Sequence, residues 1–442
     1  MIANQDNFQP NGRLRSIAFF SYDDQDAMAI LRLLGPARQA GWEILRGYDF
    51  DDRMVHLEVV DKADLVLIQR DFCRDYETYT KIISLAKAQK KPLVVDLDDN
   101  LFELPANHPD RLTGYYAGSL LPLLLGIMDA DLVTVPTKPL RDYLLRYNPN
   151  IRVIPNYLDD SLWKISTPKR LNDNHEKIVI GYMAGPSHRP DLQMVLPALL
   201  KIVGKYPGQI HFNFWGIDAP IELEAYSRVD WYPTETFRYD AFITAFQEMH
   251  ADFMIAPLCD NLFNSCKSPI KFLEYGAIGV PGIYSRVPPY VNMINHGKDG
   301  FLAYTIEEWV ENLCKLIEDP DLRLIMAENA QRKIKQRWLL SKNMNLRMQI
   351  YEDAVSNYIL KDEITTPFYK IIKSFSEQYY EEQQRTENKI QSLQMELSNK
   401  EALVDELEHE ILGYVNSQSW RFTRPMRVLK KNLRRIRNVQ EN

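Results

Sequence analysis

The sequence predicts an α/β protein of two doubly wound, Rossmann-like domains in tandem, followed by a helical extension. Three observations predict it. Short β-branched and aromatic runs alternate with longer helical patterns, as parallel strands joined by right-handed crossover helices do. The alternation stops in a polar stretch at 166–177 and then restarts. Beyond Tyr351 the composition turns charged and helical.

Strands of the first unit are expected at 16–20, 64–68, 93–97, 131–135 and 151–154. Those of the second are expected at 178–182, 210–215, 253–257, 281–284 and 301–304. Two such sheets leave a cleft between their carboxyl edges, where ligands of doubly wound sheets bind. The boundaries read as one Rossmann-like domain at 1–165, a second at 166–358, a helical coiled-coil extension at 359–415 and a basic amphipathic tail at 416–442. A chain of 442 residues, 45% hydrophobic and 26% charged, is too long for one ordinary core. The net charge of −7 argues against nucleic acid as a partner, because phosphate binding needs a positive field. Cys73, Cys259, Cys266 and Cys314 form neither a CxxC site nor a disulfide framework, which fits a reducing cytoplasm. The first residues hold no apolar signal core, and the longest apolar run, 120–128, is far below a membrane span.

The segment 264–285, NSCKSPIKFLEYGAIGVPGIYS, carries the most chemistry. Lys267, Lys271 and Glu274 are spaced to share one helix face, with Ser268 between the lysines. Two ammonium groups beside helix N-terminal amides suit a diphosphate, and a carboxylate one turn later suits a pair of ribose hydroxyls. Gly276, Gly279 and Pro281 mark the helix end and the turn into the next strand. A surface Lys/Glu pair on an amphipathic helix is the plainer alternative.

This segment resembles the K-S-x-x-K-x-L-E-Y-x-A-x-G-x-P signature of GT-B glycosyltransferases in the large family-4-like group. The resemblance spans about residues 15–351 and implies a GT-B fold, with Glu274 on the donor ribose and the lysines on the donor phosphates. The commoner E-x7-E form is not met, since Cys266 stands eight residues before Glu274. A second match is IVIGYMAGPSHRPDL at 178–192, similar to the family's G-x-x-G-[ST]-x-x-H turn. Gly181 and Gly185 permit close backbone approach, and Ser187, His188 and Arg189 offer donors to phosphate oxygens. Ser187 as a simple helix cap and His188 as a solvated loop residue remain the alternative.

In the first unit, LVVDLDDNLFELP is an apolar strand ending in Asp96, Asp98 and Asp99. Metal-dependent GT-A enzymes place a D-x-D there to hold a cation, because hard cations take carboxylate oxygens. GT-B relatives with D-x-D-D-x-L-F imply instead a loop facing donor and acceptor, so Asp98 or Asp99 is expected to position the acceptor or act as base. A helix-capping cluster is the alternative. Asp98, Asp99 and Glu274 are the catalytic candidates, and no metal or cofactor is expected beyond a nucleotide diphosphate sugar as co-substrate. Arg32 precedes a P-A pair as in the same relatives, and either touches an anionic acceptor or decorates a helix surface.

In the extension, Ile390, Leu393, Leu397, Val404, Leu407, Ile411 and Tyr414 step by threes and fours, interrupted by Lys400, which suits a coiled-coil homodimer, with packing back on the body as the alternative use of the same stripe. The tail adds an apolar stripe, Phe422, Met426, Leu429, Leu433 and Ile436, beside Trp420 and eight cations. That composition suits an anionic membrane surface, and so a cytoplasmic protein peripheral to the inner face of the membrane. The S-x-S-W-R-x-T-x-P-x-R run resembles a terminal module of bacterial surface-polysaccharide glycosyltransferases, implying a glycan or lipid-linked acceptor. Leaving-group stabilisation would carry the transfer, and the family resemblance implies retention of anomeric configuration. A non-catalytic scaffold and a nucleotide-sugar epimerase are the competing classes.

Overall fold

The computed structural model describes residues 14–168, 177–233, 238–358 and 366–440, with the backbone alone at 71, 420 and 432–440. The first sheet holds β1 (Ser16–Phe20), β2 (Glu43–Arg46), β3 (Leu65–Gln69), β4 (Leu93–Asp96), β5 (Leu132–Val135) and β6 (Ile151–Val153) in the order β2-β1-β3-β4-β5-β6. Every pairing in it is parallel. β1, β3, β4 and β5 are buried along their whole length, as near-continuous apolar runs covered on both faces must be.

The second sheet repeats the plan with β7 (Ile178–Ala184), β8 (Ile210–Gly216), β9 (Arg228–Tyr232), β10 (Phe253–Ala256), β11 (Gly282–Ser285) and β12 (Phe301–Ala303), in the order β9-β8-β7-β10-β11-β12 and all parallel. The strand order reverses beside β1 in one sheet and beside β7 in the other. Loops leaving the carboxyl ends there diverge and open a crevice. β2 and β9 were not among the expected strands. Both are edge strands with mixed, half-exposed sequences, EILR and RVDWY, which carry no clean apolar run.

The stretch expected to link the domains begins docked, since the Ser166 amide donates to the Ala277 carbonyl at 2.9 Å. Residues 169–176 of that stretch lie outside the described residues. The helix Leu340–Ser356, placed by sequence in the second domain, packs on the first: Leu340, Met344, Met348 and Tyr351 join the core of Ile17, Phe19 and Leu65. Their three- and four-residue spacing makes one apolar stripe, and Tyr351 stacks on Trp42 with centroids 5.6 Å apart.

The helix Pro367–Asn416 starts in the same body. The Tyr369 hydroxyl donates to Asp129 at 2.8 Å, and Asp129 also accepts from Tyr79 at 2.7 Å. Asp129 ends the helix Leu120–Asp129, which uses the longest apolar run as buried core. By compactness the chain divides after Ser376: both sheets fall in Met1–Ser376, and Glu377–Asn442 is a unit of its own. Among the described residues no helix is long and apolar enough to cross a membrane.

Candidate active site

Three acidic residues leave β4, and each faces a different cation. Asp96 is buried and takes a bidentate ion pair from Arg32, Nε to Oδ1 at 3.1 Å and Nη2 to Oδ2 at 2.7 Å. Arg32 Nη1 also donates to the Ile154 carbonyl and to Asn156 Oδ1. Both sequence readings of Arg32 are corrected here. It is wholly buried, on a π-helical turn, Ile30–Leu34, which aims it under the sheet edge rather than at solvent or an acceptor.

Asp98 is buried and faces Arg70, whose Nε lies 3.3 Å from Oδ1. Arg70 has φ of +50°, a left-handed conformation costly for a non-glycine residue, directly after β3. Burial pushes the Asp98 carboxyl up to about 6, against the pull of Arg70 and with the push of neighbouring Asp99. Asp99 lies 3.4–3.5 Å from Lys267 Nζ. Burial works against its charge, but Lys267 and Arg70 outweigh that and hold Asp99 below the ordinary carboxylate range. The third and fourth positions of D-x-D-D are thus engaged with protein cations. Among the described residues no group of three or more His, Cys, Asp or Glu is placed to hold a metal ion.

Across the cleft, β7 is followed by Gly185 and a 3-10 turn, Pro186–His188, which opens the helix Arg189–Lys205. Ser187 makes no capping bond, while the His188 and Arg189 amides are taken by the Gly185 and Pro186 carbonyls and Pro190 has no N–H, so of the first helical residues Asp191 is the next with an amide to offer. A Cβ built on Gly185 would meet nothing within 4 Å, which leaves the turn open to close approach. His188 is not a solvated loop residue: its Nδ1 lies 2.8 Å from Asp191 Oδ2. Asp191 Oδ1 in turn accepts from the Cys259 amide at 2.7 Å and from Asn264 Nδ2 at 3.0 Å. Burial, then Lys271 nearby, pushes the imidazole down to about 4, so it is neutral with Nδ1 as the donor and Nε2 as an acceptor. Arg189 turns away and pairs with Asp218 at the surface, so the expected phosphate contact from Arg189 is not in place.

The lysine segment is broken at Pro269, so Lys267 and Ser268 precede the helix Ile270–Ala277 instead of sharing its face with Lys271 and Glu274. The proline that caps this helix is the physical reason. Lys267 sits 4.3 Å above the Phe263 ring. Ser268 Oγ accepts from Asn156 Nδ2 of the first domain at 3.1 Å, and so holds the domains together rather than facing a ligand. Thr137 Oγ1 adds a bond to the Cys266 carbonyl at 2.7 Å. Cys266 itself is buried, its Sγ 3.7 Å from Asn100 Nδ2.

Lys271 and Glu274 are both buried, with no ion pair between them within 4 Å among those described. Burial lowers Lys271 to about 8, and burial raises Glu274 to about 7; each charge opposes the shift of the other. The Tyr239 hydroxyl donates to Glu274 Oε1 at 3.2 Å. A cavity of about 110 Å³ lies beside them, lined by Ser187, His188 and Lys267 from the second domain and Asn107 and His108 from the first.

Of the candidates, the fold therefore gathers Asp98, Asp99, Gly185, Ser187, His188, Lys267, Lys271 and Glu274 about one cleft and leaves Arg189 and Ser268 engaged elsewhere. Asp191, Asn264 and Tyr239 were missed. A histidine three residues before an aspartate on a helix start was the available signal for Asp191. Nothing in the sequence tied Asn264 or Tyr239 to their partners.

Residues 267–333 match the family described as glycosyl transferases group 1. No curated protein sequence matches the chain. Among solved structures, HepE of Anabaena in complex with UDP is similar over 77% of this chain and 100% of its own, at 14% identity and a TM-score of 0.55. Sucrose-phosphate synthase of Thermosynechococcus elongatus is similar over 78% and 100%, at 15% identity and 0.57. A glycosyltransferase of Rickettsia africae is similar over 78% and 100%, at 13% identity and 0.52. Fold and matched segment define the class: a glycosyltransferase of the GT-B architecture.

Proposed function

We propose that the chain moves a sugar from a nucleoside diphosphate sugar to a hydroxyl of a glycan or lipid-linked glycan, without a metal and with retention of configuration. The observation that carries this reading is that Lys267, Lys271 and His188, in the turn after Gly185, lie close together with Asp99 of the first domain paired to Lys267. Two ammonium groups and the positive end of the helix Arg189–Lys205 neutralise the charge that builds on a departing diphosphate, and they are fixed before the reaction starts. Glu274, held by Tyr239, suits the ribose hydroxyls. Asp98 suits the acceptor hydroxyl, whose proton it takes when ionised. The UDP-glucose and glucose complexes of HepE make that donor the first to try. Retention rests on the family resemblance, and the lipid-linked acceptor on the terminal S-x-S-W-R run.

The test is release of nucleoside diphosphate from UDP-glucose, and then from other nucleotide sugars, with and without acceptor glycans. Turnover is expected to survive EDTA. Activity abolished by EDTA and restored by manganese would favour the D-x-D metal reading instead. With Asp98 as base, the rate is expected to fall about tenfold per unit as pH drops below about 6, because the carboxyl must be ionised to accept the proton. A flat profile there removes Asp98 from that role.

A further inference from the structure

We propose that the C-terminal helices of two copies pair antiparallel about Gly413, each copy's basic tail lying along the acidic stretch of the other. The proposal is independent of the transferase reading. It begins with an unpartnered face: Leu393, Leu397, Val404, Leu407 and Ile411 are exposed on the helix Pro367–Asn416. The helix Gln418–Gln440 follows after one residue and exposes Phe422, Met426 and Leu429.

The spacing of the apolar positions is mirror-symmetric about Gly413. Ile411 and Val415 stand two residues to either side of it, and Val404 and Phe422 nine residues. Leu397 and Leu429 stand sixteen away, and Leu393 and Leu433 twenty. Two copies running in opposite directions therefore place leucine on leucine and valine on phenylalanine. Lys400 meets Met426, and Leu407 meets Ser419, as the two weaker levels. The step from Ile411 to Phe422 is eleven residues, the length of three helical turns, so the spacing of the stripe keeps its phase across Ser417, where one helix gives way to the next.

Charge fixes the direction. Residues 377–410 carry ten acidic against three basic side chains, and 418–440 carry eight basic and no acidic ones. A parallel pair sets acid on acid and base on base, whereas the antiparallel pair sets each on its opposite; Glu396 then lies level with Lys430, and Asp405 with Arg421. An anionic membrane surface also suits the tail taken alone. The same surface repels the acidic stretch that runs into it, and a second copy satisfies both.

The experiment uses the full chain. A double variant, Val404→Cys with Phe422→Cys, is expected to form a disulfide-linked dimer under mild oxidation, while V404C alone and F422C alone do not. By sedimentation the unmodified chain is expected to be a dimer whose dissociation constant rises roughly tenfold as salt screens the flanking charges. Cross-linking by V404C alone means a parallel pair and overturns the proposal. So does a disulfide closed within one chain, which means a helical hairpin, and so does a double variant that stays reduced. A chain that sediments as a monomer and binds anionic vesicles overturns it in favour of the membrane surface.

Discussion

Replacing Arg32 with Met is expected to destabilise the protein by about 3–5 kcal/mol, the range for breaking a buried ion pair from one side. Arg32 is wholly enclosed, and its guanidinium holds both oxygens of Asp96, the Ile154 carbonyl and Asn156. Met fills much of the volume but supplies no donor, so Asp96 keeps only Thr134 Oγ1, at 2.5 Å, as a side-chain donor. Asp96 is two residues from Asp98, and Arg347 of the returning helix donates to the Arg32 carbonyl, so the damage reaches both the catalytic loop and the domain crossover. Thermal denaturation measures it. Arg32→Lys keeps the charge but not the two-pronged geometry and is expected to fall between the two. A Met variant that melts with the unmodified protein would show that the Arg32–Asp96 pair does not hold the fold together.

The alternation of strand and helix made both sheets legible, since β1, β3, β4 and β5 are buried on both faces and read as apolar runs wherever they stand. β2 and β9 did not read as strands, because an edge strand needs only a partner on one side and its sequence is free to be charged. The site was legible where spacing fixes it. Lys271 and Glu274 are three apart on a helix, and Gly185, Ser187 and His188 follow directly from a strand end. It was illegible where long-range packing decides: Arg32 looks like any helix-surface arginine until Asp96, sixty-four residues on, is folded over it. Arg189 shows the converse. Its position in the motif suited a phosphate, but its guanidinium pairs with Asp218, twenty-nine residues away. Pro269 was visible, yet its effect of setting Lys267 off the helix depends on the chain turning there.

Changing Lys271 to Ala is expected to weaken binding of UDP, or of whichever nucleoside diphosphate the protein takes, by about 1.5–3 kcal/mol, the range for a hydrogen bond to a charged group. That corresponds to roughly 10–150-fold in affinity. The pH profile gives a sharper signature than the loss itself. In the free protein Glu274 ionises near 7 and Lys271 loses its proton near 8, because both are buried. A diphosphate needs the ammonium and a ribose needs the carboxylate. Affinity is therefore expected to fall on the acid side as Glu274 takes a proton and on the basic side as Lys271 loses one. In the Ala variant no ammonium remains to titrate at position 271, so the basic limb disappears. Lys271 is also the strongest influence holding the Glu274 carboxyl down against burial. Without it Glu274 ionises at higher pH, and the acid limb moves upward. Calorimetric titration across pH 6–9 reads both limbs. A variant that binds as tightly as the unmodified protein, or keeps the basic limb where it was, would remove Lys271 from the phosphate site and leave Lys267 to hold the donor.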